Sequence, residues 1–278
     1  MGSKTIPKST NKKPATPKTN SKTEPSLTLT ALESSSEPIE RVMRNLKLSG
    51  IAKNWRDIEY TGNTERYLRN LFEMELTERE ANRNARMVKT AGFSVIKTLK
   101  DFAWKTTIEI PRGITQKEIE SGGFIRNKEN LILMGSVGTG KTHLATAIGL
   151  KLCESGKQVR FYTAASLANI LLEKNQRGGL NTFINSLKKV ELMIIDEIGF
   201  IPLHKKAAEL LFQVVSDCHE RKSLIITTNL EFSQWNTVFG DNHLTAALID
   251  RLIHHSHILL FTGENHRLQE SIKRQKNL

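Results

Sequence analysis

Gly135-Ser136-Val137-Gly138-Thr139-Gly140-Lys141-Thr142 is the stretch on which the reading of this chain turns. It lies between an apolar run, Leu131-Ile132-Leu133-Met134, and a helix-like segment, His143-Leu144-Ala145-Thr146-Ala147-Ile148. This is G-x-x-x-x-G-K-[ST] in a strand–loop–helix context, an arrangement that wraps backbone N–H groups around phosphate. The glycines allow the tight wrap, and the helix adds the positive end of its dipole. On this reading Lys141 reaches the β- and γ-phosphates and Thr142 offers its hydroxyl to Mg²⁺. The expected nucleotide-contacting set is Gly135, Ser136, Val137, Gly138, Thr139, Gly140, Lys141, Thr142 and His143. The chain reads as a nucleotide binder.

Downstream, Val190-Glu191-Leu192-Met193-Ile194-Ile195-Asp196-Glu197 reads as a strand buried on both faces that ends in two carboxylates. Asp196 is expected to hold Mg²⁺, and Glu197 to polarise the attacking water as general base. Thr227-Thr228-Asn229 closes another apolar strand, Leu224-Ile225-Ile226. Asn229 is either a turn former or a sensor bonded to the water and the γ-phosphate, and its place after that strand favours the sensor. Arg251, in Ala247-Leu248-Ile249-Asp250-Arg251-Leu252, reads from spacing alone as a surface pair with Asp250. Arg267 is a candidate second nucleotide contact. His254, His255 and His257 have no carboxylate spaced for metal ligation and read as structural or surface residues.

Outward from the phosphate loop, strand and helix patterns alternate. Val159–Tyr162, Leu192–Ile195, Leu224–Thr227 and Ile258–Phe261 join Leu131–Met134 in an expected five strands, separated by amphipathic helices. Repeated βα units of this kind make a parallel sheet covered by helices, an α/β fold.

Before it, residues 101–124 read as a linker with a short helix from Thr115 to Ser121, passing near the nucleotide base. The region 37–100 reads as a small all-α domain. Ile39, Val42, Met43 and Leu46 form one stripe ended by Gly50; Ile51, Trp55 and Ile58 start a second; Leu68, Leu71 and Phe72 belong to a third after Thr61-Gly62-Asn63. Arg79, Arg83 and Arg86 share a helical face, either a solvated surface or a ridge that tracks nucleic-acid phosphates. Residues 1–36, with six lysines before Glu24, read as a disordered basic leader, a phosphate-binding arm or a solubilising segment. Residues 101–278 then form the nucleotide domain.

The balance of 41 Lys and Arg against 29 Asp and Glu leaves a net charge of +12, which favours a polyanionic partner, nucleic acid first. The apolar runs are too short to span a bilayer, and no secretory pattern follows the basic start, so a cytoplasmic protein is expected. The two cysteines, Cys153 and Cys218, read as buried reduced thiols.

Taken together, Gly-Ser-Val-Gly-Thr-Gly-Lys-Thr-His-Leu-Ala, Ile-Ile-Asp-Glu-Ile-Gly, Ile-Ile-Thr-Thr-Asn and Ala-Leu-Ile-Asp-Arg-Leu resemble the IstB-like helper ATPases of insertion-sequence transposition. These are AAA+ proteins related to the DnaC helicase loader, and the likeness covers roughly residues 38 to 275. The resemblance implies an ATP- and Mg²⁺-dependent ATPase that assembles as a ring or spiral of identical subunits on duplex target DNA and serves a cognate transposase. It also implies that Arg251 acts in trans on a neighbour's γ-phosphate. Asn265-His266-Arg267 departs from the family's Ser-Tyr-Arg. The alternatives are a helicase loader bound to single-stranded DNA, and a scaffold whose ATPase is vestigial.

Overall fold

The computed structural model describes residues 38–266 together with 268 and 275, so the basic leader and Arg267 lie outside the described residues. Six strands form one sheet: β1 (Ile108–Glu109), β2 (Asn130–Gly135), β3 (Val159–Thr163), β4 (Leu192–Ile198), β5 (Ser223–Thr228) and β6 (Ser256–Phe261). Their spatial order is β1-β6-β2-β5-β4-β3, with β1 antiparallel to β6 and the other five parallel. The five expected strands are all present. The sixth, β1, falls inside the segment read as linker, where two residues are too few to show a period.

Alternation along the central strands divides the core in two, since successive side chains face opposite ways. Met193 and Ile195 of β4 join Ile132 and Ile226 on one face. Leu192 and Ile194 join Leu131, Leu133 and Ile225 on the other. The first face is covered by α6 (Ala164–Gln176), α7 (Leu180–Leu187), α8 (Lys205–Cys218), the short α9 (Asn236–Phe239) and α10 (Asn242–Ile253). The second is covered by α4 (Gln116–Ser121) and α5 (Lys141–Glu154). Thr115 caps α4 in a reciprocal capping box with Glu118. Cys153 and Cys218 are buried, and burial pushes both thiols up to about 11, far from thiolate chemistry at neutral pH.

The N-terminal region consists of α1 (Ile39–Asn45), α2 (Ser49–Asn54) and one 28-residue helix, α3 (Thr64–Ala91), capped by Asn63, whose side chain accepts the Arg66 N–H. The third stripe and the charged stretch bearing Arg79, Arg83 and Arg86 are therefore parts of a single helix. Its last turns bring Met87, Val88 and Ala91 against the sheet's second face. Gly50 does not end a helix. It sits buried inside α2, where a Cβ would come within 2.8 Å of Glu78 Cβ, so its role is the close approach of α2 to α3. The preceding helix instead stops before Lys47, which has φ 60. Among the described residues no helix is long and apolar enough to cross a membrane.

Candidate nucleotide site

Five parallel strands run toward one end of the sheet, and the site is built there. Gly135, Gly138 and Gly140 have φ of 147, 80 and 103. A Cβ at Gly135 would lie 2.2 Å from the Phe261 carbonyl oxygen, so the turn out of β2 against β6 has room only for glycine. Gly140 precedes α5 without a side-chain cap, which leaves the first N–H groups of that helix for the loop's occupant. Lys141, 8 % exposed, lies with its Nζ 2.6 Å from the carbonyl oxygens of both Gly135 and Ser136. The loop thus holds its own ammonium against its backbone.

β4 brings Asp196 to the loop, 3 % exposed. Asp196 Oδ1 accepts the Thr142 hydroxyl at 2.9 Å and also the hydroxyl of Thr227 on β5. Thr227 Oγ1 in turn accepts the Glu197 N–H at 2.9 Å. The β4–β5 register slips between Ile195 and Ile198, a bulge of the kind that re-aims side chains beside active sites. Glu197 takes φ 61 there and is exposed. The two adjacent carboxylates consequently face different surroundings: Asp196 is buried on hydroxyls, whereas Glu197 lies open to the cavity.

That cavity, about 540 Å³, is lined from three directions. The loop and β4 contribute Lys141, Thr142, Asp196 and Glu197; the segment before β1 contributes Phe102 and Lys105; the chain after β6 contributes His266. His143 Nε2 donates to the Thr98 carbonyl oxygen at 3.1 Å, and Phe102 packs edge-on against its ring with centroids 5.3 Å apart. The linker is thereby fastened to the start of α5. On the other side the His266 N–H donates to the Gly138 carbonyl oxygen at 3.0 Å, and Lys105 Nζ donates to His266 Nε2 at 3.3 Å. Asn265 packs directly over Gly138. Sequence reasoning assigned nothing to Thr227, Lys105, Asn265 or His266. Thr227 stood in a stretch already singled out, and its alternation with Asn229 was the available signal.

The remaining expected residues lie elsewhere. Asn229 is exposed after β5, beside Gly199, and is not among the residues that line the cavity. Arg251 ends α10 close to the start of β6, whose first residue pairs with the first residue of β2, so it occupies the opposite end of the sheet from the phosphate loop. Its Nη1 donates to Ser216 Oγ at 2.9 Å and its guanidinium lies 4.6 Å from the centroid of the Phe212 ring, both on α8. Arg79 donates from Nε to Glu75 at 2.7 Å and from Nη2 to the Lys47 carbonyl oxygen at 2.8 Å. Arg83 and Arg86 instead join Arg160 of β3 around a groove of about 290 Å³. His257 pairs with Glu129 at 3.2 Å. His255 meets a carboxylate that sequence spacing had not offered, Glu220, at 3.4 Å.

A family model described as "IstB-like ATP binding protein" matches residues 42–274. The chain belongs to this family. It is 36 % identical over 186 residues to the ATP-binding protein of insertion sequence IS21 from Pseudomonas aeruginosa, covering 67 % of this chain and 70 % of that one. It is 33 % identical over 241 residues to the corresponding protein of IS5376 from Geobacillus stearothermophilus, covering 84 % of this chain and 95 % of that one. AMPPCP-bound DnaA from Aquifex aeolicus superposes with a TM-score of 0.50 at 20 % identity over 65 % of this chain, a likeness of fold alone. This chain spans about half of DnaA, 55 %. The IstB-like protein described here is thus an ATP-binding protein and ATPase with an AAA+ fold, related to proteins of insertion sequences.

Proposed function

We propose that this IstB-like protein is an ATP-dependent assembly factor that forms oligomers on duplex DNA and serves a transposase. The observation that carries the ATP-driven part is the junction of Thr142 and Asp196, with Lys141 folded beneath the same loop. A hydroxyl and a buried carboxylate are hard oxygen donors, the set that suits Mg²⁺. Thr142 and Asp196 would hold that ion, which would supply positive charge against the charge that develops on the transferred phosphate. Lys141 leaves its loop carbonyls for the phosphates, and the glycine-framed backbone from Gly135 to Gly140 surrounds them. Glu197 takes a proton from the attacking water as that water's oxygen bonds to the γ-phosphorus, and the bond to the β–γ bridging oxygen breaks to release ADP. Asn229, which follows β5, senses whether the γ-phosphate is present.

Arg251 cannot reach the loop of its own chain from the far end of the sheet. That placement supports an action on the nucleotide of a neighbouring subunit, which makes hydrolysis depend on assembly. Binding of the γ-phosphate orders the interface and its loss releases it. For DNA, Arg83 and Arg86 with Arg160 supply a basic groove suited to phosphates, while Arg79 is already engaged in joining α3 to the loop before α2. Contacts of this kind position a duplex without reading it, and they weaken with salt.

The deciding experiment measures ATP turnover and particle mass on duplex and on single-stranded DNA, with Arg251→Ala in parallel. Turnover stimulated by duplex, and growth of the particle with ATP, both lost in the variant, are expected. Preference for single strands makes the protein a helicase loader, and indifference to DNA removes the assembly reading.

A further inference from the structure

We propose that His219, Glu220 and His254 form a site for a divalent transition-metal ion, zinc foremost, at the end of the sheet opposite the nucleotide cavity. His219 and Glu220 follow the last residue of α8, and His254 follows the last residue of α10. Their ligand atoms all lie within 4.8 Å of one another. His254 stands more than thirty positions along the chain from the adjacent His219 and Glu220, and the packing of α8 against α10 brings it to them.

The hydrogen bonding of His219 is that of a metal ligand. Its Nδ1 lies 3.1 Å from the Arg251 carbonyl oxygen. A carbonyl only accepts, so Nδ1 carries a proton and donates it. In the neutral ring Nε2 then presents its lone pair, and Nε2 faces Glu220 Oε1 at 3.7 Å. A divalent ion beside that lone pair and the Glu220 carboxylate would be accepted by both. A backbone carbonyl that fixes the tautomer and turns the other ring nitrogen outward is the usual support of a zinc-bound histidine. Glu220 is held with φ 56 and its carboxylate is further placed by His255 Nε2 at 3.4 Å.

The donor chemistry selects the ion. Two imidazoles and one carboxylate suit zinc or its first-row neighbours, whereas Mg²⁺ and Ca²⁺ prefer oxygen sets. Ligands about 2.0–2.1 Å from zinc sit about 3.3 Å apart around a tetrahedron, so the three must close by roughly an ångström. His254 and Glu220 are exposed, so side-chain rotation makes that adjustment without disturbing the core, and water completes the coordination. A bound ion ties the ends of α8 and α10 together. Arg251 stands one turn before His254, and α8 supplies both Ser216 and Phe212 to its guanidinium. Metal occupancy therefore stiffens the platform that presents Arg251, a consequence that rests on the trans role proposed above, although binding of the ion does not.

The test is zinc titration of the chelator-stripped, nucleotide-free protein in competition with a chromophoric indicator, followed by Co²⁺ absorption to report the geometry. One equivalent is expected to bind, with intense tetrahedral-type cobalt bands. Glu220→Gln and His254→Gln are each expected to weaken binding by 10-fold or more, as loss of a ligand does. Both positions are exposed, and thermal melting confirms that the variants fold; His243→Gln, at the other end of α10, serves as the histidine control and keeps full affinity. Equal zinc affinity in wild type, Glu220→Gln and His254→Gln overturns the site, as does the absence of any saturable equivalent in the wild type. Stoichiometric zinc lost in both variants, but without influence on DNA-stimulated turnover, upholds the site and removes only its link to Arg251.

Discussion

The Thr227 hydroxyl donates to Asp196 Oδ1, the same oxygen that receives Thr142, while accepting the N–H of Glu197. One β5 side chain thus holds both members of the acidic pair in their separate orientations. Thr227 is 1 % exposed, so no water substitutes for it. In Thr227→Val the shape is kept but the Glu197 N–H and one lone pair of Asp196 lose a partner. A buried group left unsatisfied costs about 1–3 kcal/mol. We expect kcat for ATP hydrolysis to fall about 10-fold, which corresponds to about 1.4 kcal/mol, with ATP affinity nearly unchanged. Steady-state turnover beside equilibrium binding of a fluorescent ATP analogue checks this, and an unaltered kcat assigns Thr227 to structure alone.

Glu197 is exposed and lies in the cavity lining, where Asp196 is buried on hydroxyls. Glu197→Gln removes the proton acceptor without altering the charge at the metal-binding oxygens. Turnover is expected to drop by about 100-fold or more, the usual worth of a general base. ATP binding persists, and DNA-bound assemblies accumulate, visible as slow dissociation when ATP is present. Normal hydrolysis in this variant takes Glu197 out of the mechanism.

Gly138 has φ 80 and a Cβ placed there would come within 2.0 Å of Asn265 Oδ1. Gly138→Ala therefore combines two costs. The left-handed backbone alone is worth about 1–2 kcal/mol, and the collision with Asn265 adds to it. In an Asn265→Ala background the collision disappears and only the backbone cost remains. A double-mutant cycle read by thermal melting and ATP affinity is expected to show the two changes partly cancelling. Strict additivity means that the chain after β6 does not close over the phosphate loop as described.

What the sequence disclosed was local. The phosphate loop and the apolar runs of β2, β4 and β5 each carry their signal within a dozen residues, and each lies where its pattern put it. What it concealed depends on remote contacts. Gly50 has the look of a stop, yet its neighbours Glu75 and Glu78 come from another helix. Thr227 lies 31 positions from the Asp196 it supports. β1 is only a pair of residues and exists because β6 offers it an edge. The charged face of α3 conceals one continuous helix: Met87 and Val88 reach the core, while Leu68, Phe72 and Leu76 remain exposed on an earlier part. The histidines near α10 lacked a carboxylate in sequence because Glu220 arrives from the end of α8.

Glu75, 4 % exposed, fastens α2 to α3. Its Oε2 accepts the Gly50 and Ile51 N–H groups at 2.7 and 3.1 Å, and its Oε1 accepts Arg79 Nε at 2.7 Å. Burial pushes the carboxyl up, but Arg79 and the two backbone donors outweigh it and hold it below the ordinary glutamate range. A carboxyl depressed by folding contributes stability that is fully present above its unfolded pKa and is lost as pH falls through its folded one. Glu75→Gln keeps an acceptor but loses the charge, at a cost of about 1 kcal/mol near neutrality once the half-exposed Arg79 is discounted for screening. The gap in melting temperature between wild type and variant is expected to hold above the ordinary glutamate pKa of about 4.3 and to close below it. A gap that persists unchanged in acid assigns the loss to shape, and leaves the charge of Glu75 without a part in joining the two helices.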